Sequence, residues 1–249
     1  MKYNILTVLN ESYKPFGDLF ITSLFENVDI SQVNKTYIFD TGLADDTRAY
    51  LSLFPTVEII DTEIDSQSGQ VHDQGWRDST YSKTTFLLDT LIKDGLPTVM
   101  IDSDSIFIQE FADLLQFDES DIVVAARDRE GFSRHIGSFF AANNASKSVL
   151  SFIRRWIENL ENLRENTDMK HVESPALSKT VAEMSKELSI LELPEDLVSC
   201  VLPQKCSDKA NIRICHLKSD YYAKTIPERI MLPWARPYHK YLRKDRYEN

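Results

Sequence analysis

Asp102 and Asp104 flank a serine at the end of an apolar run, in the stretch VMIDSDSIF at residues 99–107. Two carboxylates this close repel each other and are costly to strip of water. A divalent cation between them removes the repulsion. Carboxylate oxygens are hard ligands suited to Mg²⁺ or Mn²⁺. An ion held this way keeps coordination positions open for substrate oxygens, typically those of phosphates. Residues i and i+2 of an extended chain point to one side, so both aspartates are expected to leave the strand on the same face and share one target. The plainer alternative is a surface turn carrying two solvated aspartates. The apolar run ahead of the pair favours a strand end, which is where open α/β sheets bind their ligands.

The elements that must carry such a site read as alternating strands and helices. YNILTVL, KTYIFD, TVEIID, LPTVMID, DIVVAAR, GSFFAAN and the late NIRICHL are strand candidates. Phe16, Leu19, Phe20 and Leu24 are spaced as one helix face. DDTRAYLSLF predicts a helix capped by Asp45 or Asp46. STYSKTTFLLDTLIKDG predicts another, with Ser79 near its start and Gly95 past its end. The segment before it, 61–78, reads as polar and irregular. Val149, Phe152, Ile153, Trp156, Ile157, Leu160 and Leu163 form a helical stripe that belongs to the core. ESPALSKTVAEMSKEL completes the helices. Alternation of this kind implies an α/β fold with a mainly parallel sheet between helical layers.

Composition sets bounds. The chain has 249 residues, 42% of them hydrophobic and 27% charged, as in an ordinary soluble protein large enough for one sizeable core. No apolar run reaches the ~18 residues of a membrane-spanning helix. The opening MKYNILTVLNESYKPF lacks the apolar core and cleavage site of a secretory leader, so a cytoplasmic protein is expected. Cys200, Cys206 and Cys215 do not have the spacing of a zinc site and read as buried thiols in a reducing compartment. A net charge of -11 argues against nonspecific nucleic-acid binding. Residues 221–249 run the other way, with seven Lys or Arg against three Asp or Glu, a net of +4, and with Trp234, Tyr238, Tyr241 and Tyr247 interleaved. A basic aromatic tail of this kind suits peripheral contact with an anionic membrane face; the plainer reading packs it on the domain.

Five stretches carry a further pattern: ILTVLNESY at 5–13, YSKTTFLLDTLIKDGLPTVMIDSDSIF at 81–107, VVAARDREGFSRHIGSFFAANNAS at 123–146, VESPALS at 172–178 and IRICHLKSD at 212–220. Together they resemble the GT-A-fold glycosyltransferases that use nucleotide-diphosphate sugars, specifically the glycogenin-like and galactosyltransferase-like family eight, from about residue 3 to 217. The resemblance implies a Rossmann-like, mixed, mainly parallel sheet flanked by helices, as a single domain over 1–220 followed by the tail. It implies a nucleotide-sugar donor, UDP-sugar favoured, a glycan or other hydroxyl acceptor, and retention of configuration. By the same resemblance Thr7, Asn10 and Tyr13 surround the nucleoside. Lys83 is the basic residue beside the phosphates or sugar, Asp102 and Ser103 contact the donor, and Asp128 and Glu173 approach the sugar. His216 joins Asp102 and Asp104 as a metal ligand, and an imidazole in the set tilts the cation toward Mn²⁺ over Mg²⁺.

Several of these positions have plainer readings: a solvated helix lysine at 83, a core histidine at 216, and an N-terminal helix glutamate at 173 favoured by the helix dipole. Arg77, Arg127, Lys218 and Lys224 are further cationic candidates, and His72, His135, His171 and His239 are weaker ligand candidates. The chain departs from the family at His135 and Ile136, which replace Asn-Ser before Gly137, and at Glu173 and Ser174, which replace Asp-Gln. The Gly and Lys-Pro-Trp that follow the late histidine are absent. A relative that only binds nucleotide-sugar is one alternative. Another is a haloacid-dehalogenase-like phosphatase, whose motif is also an apolar strand and Asp-x-Asp. That motif continues to Thr or Val where this chain has Ile106, usually opens the chain, and is followed by an acidic pair that is missing after Asp121.

Overall fold

The computed structural model describes residues 1–64, 74–167, 169, 171–200 and 210–217, with backbone alone at 74–77. The side chain of Arg77, together with His72, Lys218, Lys224, His239, Cys206 and the segment 221–249, lies outside the described residues.

Among the described residues, seven strands make the main sheet: β1 (Tyr3–Leu9), β2 (Val33–Asp40), β3 (Val57–Asp61), β4 (Thr98–Ile101), β6 (Ile122–Ala126), β7 (His135–Ala142) and β8 (Ile190–Pro194). Their order is β3-β2-β1-β4-β7-β6-β8. All run parallel except β7, which is antiparallel to both neighbours. The mainly parallel sheet read from the alternation of elements is therefore present.

Both faces are covered, which is why the central strands are apolar at nearly every position. Successive residues supply opposite cores. Ile5, Val99, Ile101, Val123, Phe139 and Ala141 face one layer with Phe20, Ile21 and Leu24 of α1 (Lys14–Asn27). Leu6, Met100, Val124 and Phe140 face the other, with Leu87 and Leu91 of α3 (Gln74–Asp94), Phe152 and Trp156 of α4 (Lys147–Asn166), and Leu177 of α5 (Glu173–Met184). The α4 stripe is core, as its spacing implies.

The structure differs from the sequence expectations at several points. The helix before the Asp-x-Asp strand begins at Gln74, not near Ser79, so 74–78 is helical where an irregular segment was expected. Its end is as expected: Gly95 takes φ +65, a left-handed conformation that costs glycine little. The helix α2 (Asp45–Leu51) is not capped by Asp45 or Asp46, which lie inside its first turn; Ala44 holds the cap position. Glu11 does the work from the short 3-10 helix Glu11–Tyr13 that follows β1, accepting from Ala44 N at 2.9 Å and from Thr47 Oγ1 at 3.1 Å. Glu11→Ala should cost about 1 kcal/mol, as losing a cap does. A urea midpoint unchanged by that substitution would show that the bridge contributes nothing.

The late strand NIRICHL is not part of the main sheet. Its core, β9 (Ile214–His216), pairs antiparallel with β5 (Ser105–Phe107) in a separate two-stranded sheet. The reading of three free thiols fails at Cys200, which is disulfide-bonded, and this removes its support for a reducing compartment. Cys215 is a buried thiol outside any disulfide, and its Sγ donates to the Cys200 carbonyl at 3.0 Å.

Candidate functional site

Because β1, β2, β4, β6 and β8 are parallel, their carboxyl ends share one edge of the sheet. The start of the antiparallel β7 lies at the same edge. Asp102 follows β4, and the chain turns at once: Ser105 N donates to Asp102 O at 3.1 Å, closing a β-turn over Asp102, Ser103 and Asp104 that feeds β5. The two carboxylates converge, but not for the reason the extended-chain argument supplies. They are corner residues of a turn. Both ends of the turn are pinned by main-chain bonds, Asp102 N to Ser138 O at 3.1 Å and Leu217 N to Asp104 O at 2.7 Å. Ser103 is buried in the same turn.

β9 delivers the third group. Pairing of Ser105 with His216 sets the imidazole beside Asp104. His216 Nε2 lies 3.1 Å from Asp104 Oδ1 and 3.6 Å from Asp102 Oδ2. One ligand atom from each of Asp102, Asp104 and His216 falls within 4.8 Å of the others, and no second trio of this kind occurs among the described residues. Two hard carboxylate oxygens and one imidazole nitrogen, largely shielded from water, fit a divalent cation such as Mn²⁺.

Lys83, on α3, is not a solvated helix lysine. Its side chain is only 6% exposed and reaches under the turn. It is paired with Asp102 Oδ1, lies 2.7 Å from Glu173 Oε1, and donates to the carbonyl of Gly137 at 3.2 Å. Burial alone would lower the lysine's pKa, but the charges of Asp102 and Glu173 outweigh it and raise the value above the ordinary range. Burial raises the Glu173 carboxyl, against the pull of Lys83. Glu173 is the first residue of α5, so the helix-dipole reading holds as well, and it is ion-paired besides.

Gly137 has a purpose that its backbone angles do not reveal. A Cβ there would stand 2.6 Å from Glu173 Oε1 and closer still to its Cδ. The glutamate can reach Lys83 only because residue 137 has no side chain.

The other sequence-predicted residues are more dispersed. Asn10 sits at the carboxyl end of β1, and its Oδ1 accepts from Tyr13 N at 3.1 Å and Ser12 Oγ at 2.7 Å, shaping the turn that presents Tyr13. The half-buried Tyr13 ring packs against Phe16 at 5.6 Å between centroids. Thr7 is deeper, buried within β1 beside Ile38. Asp128 is exposed on the loop between β6 and β7, where its charge is felt by Arg134. Arg127 is engaged by Glu195 at 3.2 Å. His171 is exposed.

His135 is buried and paired with Glu192 Oε1 at 2.8 Å, and Arg134 reaches the other oxygen of Glu192 at 2.5 Å. Hydrogen bonding from Arg134, opposed by burial and aided by His135, holds the Glu192 carboxyl below its ordinary range. Sequence reasoning missed Glu192, since β8 itself was not anticipated.

A family profile described as nucleotide-diphospho-sugar transferase matches residues 45–230. That range contains Lys83, Asp102, Asp104, Glu173 and His216, while Thr7, Asn10 and Tyr13 precede it. Among solved structures the chain is similar to a crystal structure of the galactosyltransferase LgtC in complex with donor and acceptor sugar analogues, with a TM-score of 0.61 and 11% identity, over 86% of this chain and 86% of that one. At that identity the likeness is one of fold. No curated protein is matched by the sequence.

Proposed function

The chain belongs to the nucleotide-diphospho-sugar transferase family and is a GT-A-fold glycosyltransferase, and from that premise we propose that Asp102, Asp104 and His216 hold a divalent cation, Mn²⁺ by preference, at which a UDP-sugar donor is used. The observation that carries this reading is the convergence of those three side chains at the carboxyl edge of the sheet. Membership of the family sets aside the phosphatase alternative.

Breaking the bond between an anomeric carbon and a diphosphate builds charge on the departing phosphate. The bound cation would supply Lewis-acid stabilisation of that charge. The residues of the chain do the rest. Asp102 and Asp104 present their carboxylates from a turn that the backbone already holds, so little reorganisation accompanies binding. Asn10 and Tyr13 offer an amide and a ring at the mouth of β1 for the base, with Thr7 deeper in the same strand. Ser103 stands in the turn beside the phosphates. Glu173 and Asp128 are the acids assigned to the sugar, and Lys83 keeps a positive charge beneath the site. Transfer goes to a glycan or other hydroxyl acceptor with retention of configuration.

A thermal-shift screen of nucleotide-sugars tests the reading. One donor should raise the melting temperature in the presence of Mn²⁺ and not in its absence, since ligand at a hundred times its Kd stabilises the folded state by about 2.7 kcal/mol. A shift that chelation leaves intact would remove the cation from the scheme.

A further inference from the structure

An ammonium group has three N–H donors. Lys83 has three acceptors within reach: Asp102 Oδ1, Glu173 Oε1 and the Gly137 carbonyl. The group is enclosed, so its charge acts at close range with little screening by water. This raises an electrostatic difficulty for a cation site. A lysine beside Asp102 offsets the negative charge that a divalent ion needs from that residue, and it repels the ion directly.

Glu173 removes the difficulty. It places a second carboxylate against the same ammonium, 2.7 Å from Nζ, so Lys83 and Glu173 cancel. Asp102 and Asp104 then keep two negative charges for a doubly positive ion. The arrangement depends on three elements: α3 brings the lysine, the first turn of α5 brings the glutamate, and β7 brings the residue without a side chain that lets them touch. The positive end of the α5 dipole adds to the stability of the carboxylate.

We propose that Glu173 is a positioning residue for the cation site, acting through Lys83: by cancelling the lysine's charge it preserves the affinity of Asp102 and Asp104 for a divalent ion, and Gly137 is the space it requires. This role is separate from any contact Glu173 makes with the sugar, and it rests on the reading of Asp102, Asp104 and His216 as cation ligands.

The experiment is a titration of the full chain with Mn²⁺ alone, without donor, following free ion by its electron paramagnetic resonance signal. Glu173→Gln leaves one uncompensated positive charge near the ion and should weaken Mn²⁺ binding by roughly tenfold or more. Gly137→Ala should act in the same direction by displacing the glutamate. The double variant Lys83→Met/Glu173→Gln removes both charges and should recover most of the lost affinity, a rescue that a merely structural role would not produce. Unchanged Mn²⁺ affinity in Glu173→Gln would overturn the proposal, as would a double variant that binds no better than the single one. The double variant leaves neither member of the pair unmatched, so it keeps the test decisive if Glu173→Gln folds poorly: loss of its Mn²⁺ binding also counts against the proposal. A wild-type chain that binds no Mn²⁺ would bring down the cation reading itself, and the inference with it.

Discussion

Asp104→Ala is expected to reduce sugar transfer by roughly 10²- to 10³-fold, the scale on which a preorganised electrostatic contact to the reacting charge is lost. The fold should survive. Asp104 is held in its turn by main-chain bonds, its own carbonyl accepting from Leu217 N at 2.7 Å and the turn closing through Ser105 N. Neither bond involves the side chain. Its carboxylate does contribute a contact to His216 Nε2 at 3.1 Å, but it also stands close to Asp102. Losing an attraction and a repulsion together should leave stability in the absence of metal within about 1 kcal/mol of the wild type. The discriminating pattern is thus an ordinary melting temperature without metal, no further rise on adding Mn²⁺ and donor, and transfer near background. A variant that transfers sugar at the wild-type rate would remove Asp104 from the site.

Lys83→Met should behave in the opposite way, with a large effect on stability. The substitution keeps an unbranched apolar side chain of similar reach but removes the charge between Asp102 and Glu173. Breaking a buried ion pair by deleting one partner costs about 3–5 kcal/mol, because the remaining charge has lost its compensation. That is a large part of the 5–15 kcal/mol that typically holds a domain together. For a chain of this size it corresponds to a drop in melting temperature on the order of 10 °C. The loss should be relieved in Lys83→Met/Glu173→Gln, so the two substitutions should be strongly non-additive.

The pH dependence has a definite sign. Burial already raises the Glu173 carboxyl, against the opposing charge of Lys83. Without Lys83 that opposition is gone. A carboxyl whose folded value lies above its unfolded one is a stability cost at neutral pH, and the cost fades as pH falls and the group takes up a proton. The deficit of Lys83→Met should therefore be greatest near pH 7 and smaller near pH 5, measured by urea denaturation. A deficit that grows on acidification would contradict the arrangement.

Sequence alone determined the layers and the strand end that carries the candidate site. The central strands are legible because a sheet covered on both faces needs apolar residues at odd and even positions alike, as in the run ending at Ile101; the edge strand β8, half exposed, was not. The α4 stripe is legible because Val149, Phe152, Ile153, Trp156 and Leu160 repeat at the helical period. Asp102 and Asp104 stand out because carboxylates directly after such a strand are costly without a partner. These signals are local: each depends on residues within one element.

What the tertiary structure decided is which distant residues meet. Convergence of the aspartates comes from a turn and not from strand geometry, because the chain must reverse to form β5. His216 reaches them because β9 pairs with that same strand, over a hundred residues earlier in the chain. Lys83 and Glu173 are on separate helices, and their contact passes over a glycine on a third element. Periodicity reports the face a side chain occupies, not the partner opposite it. The resemblance placed Lys83 beside the donor, but its contact with Glu173, and the part Gly137 plays in it, came only when α3, β7 and α5 packed together and left no room at residue 137 for a side chain.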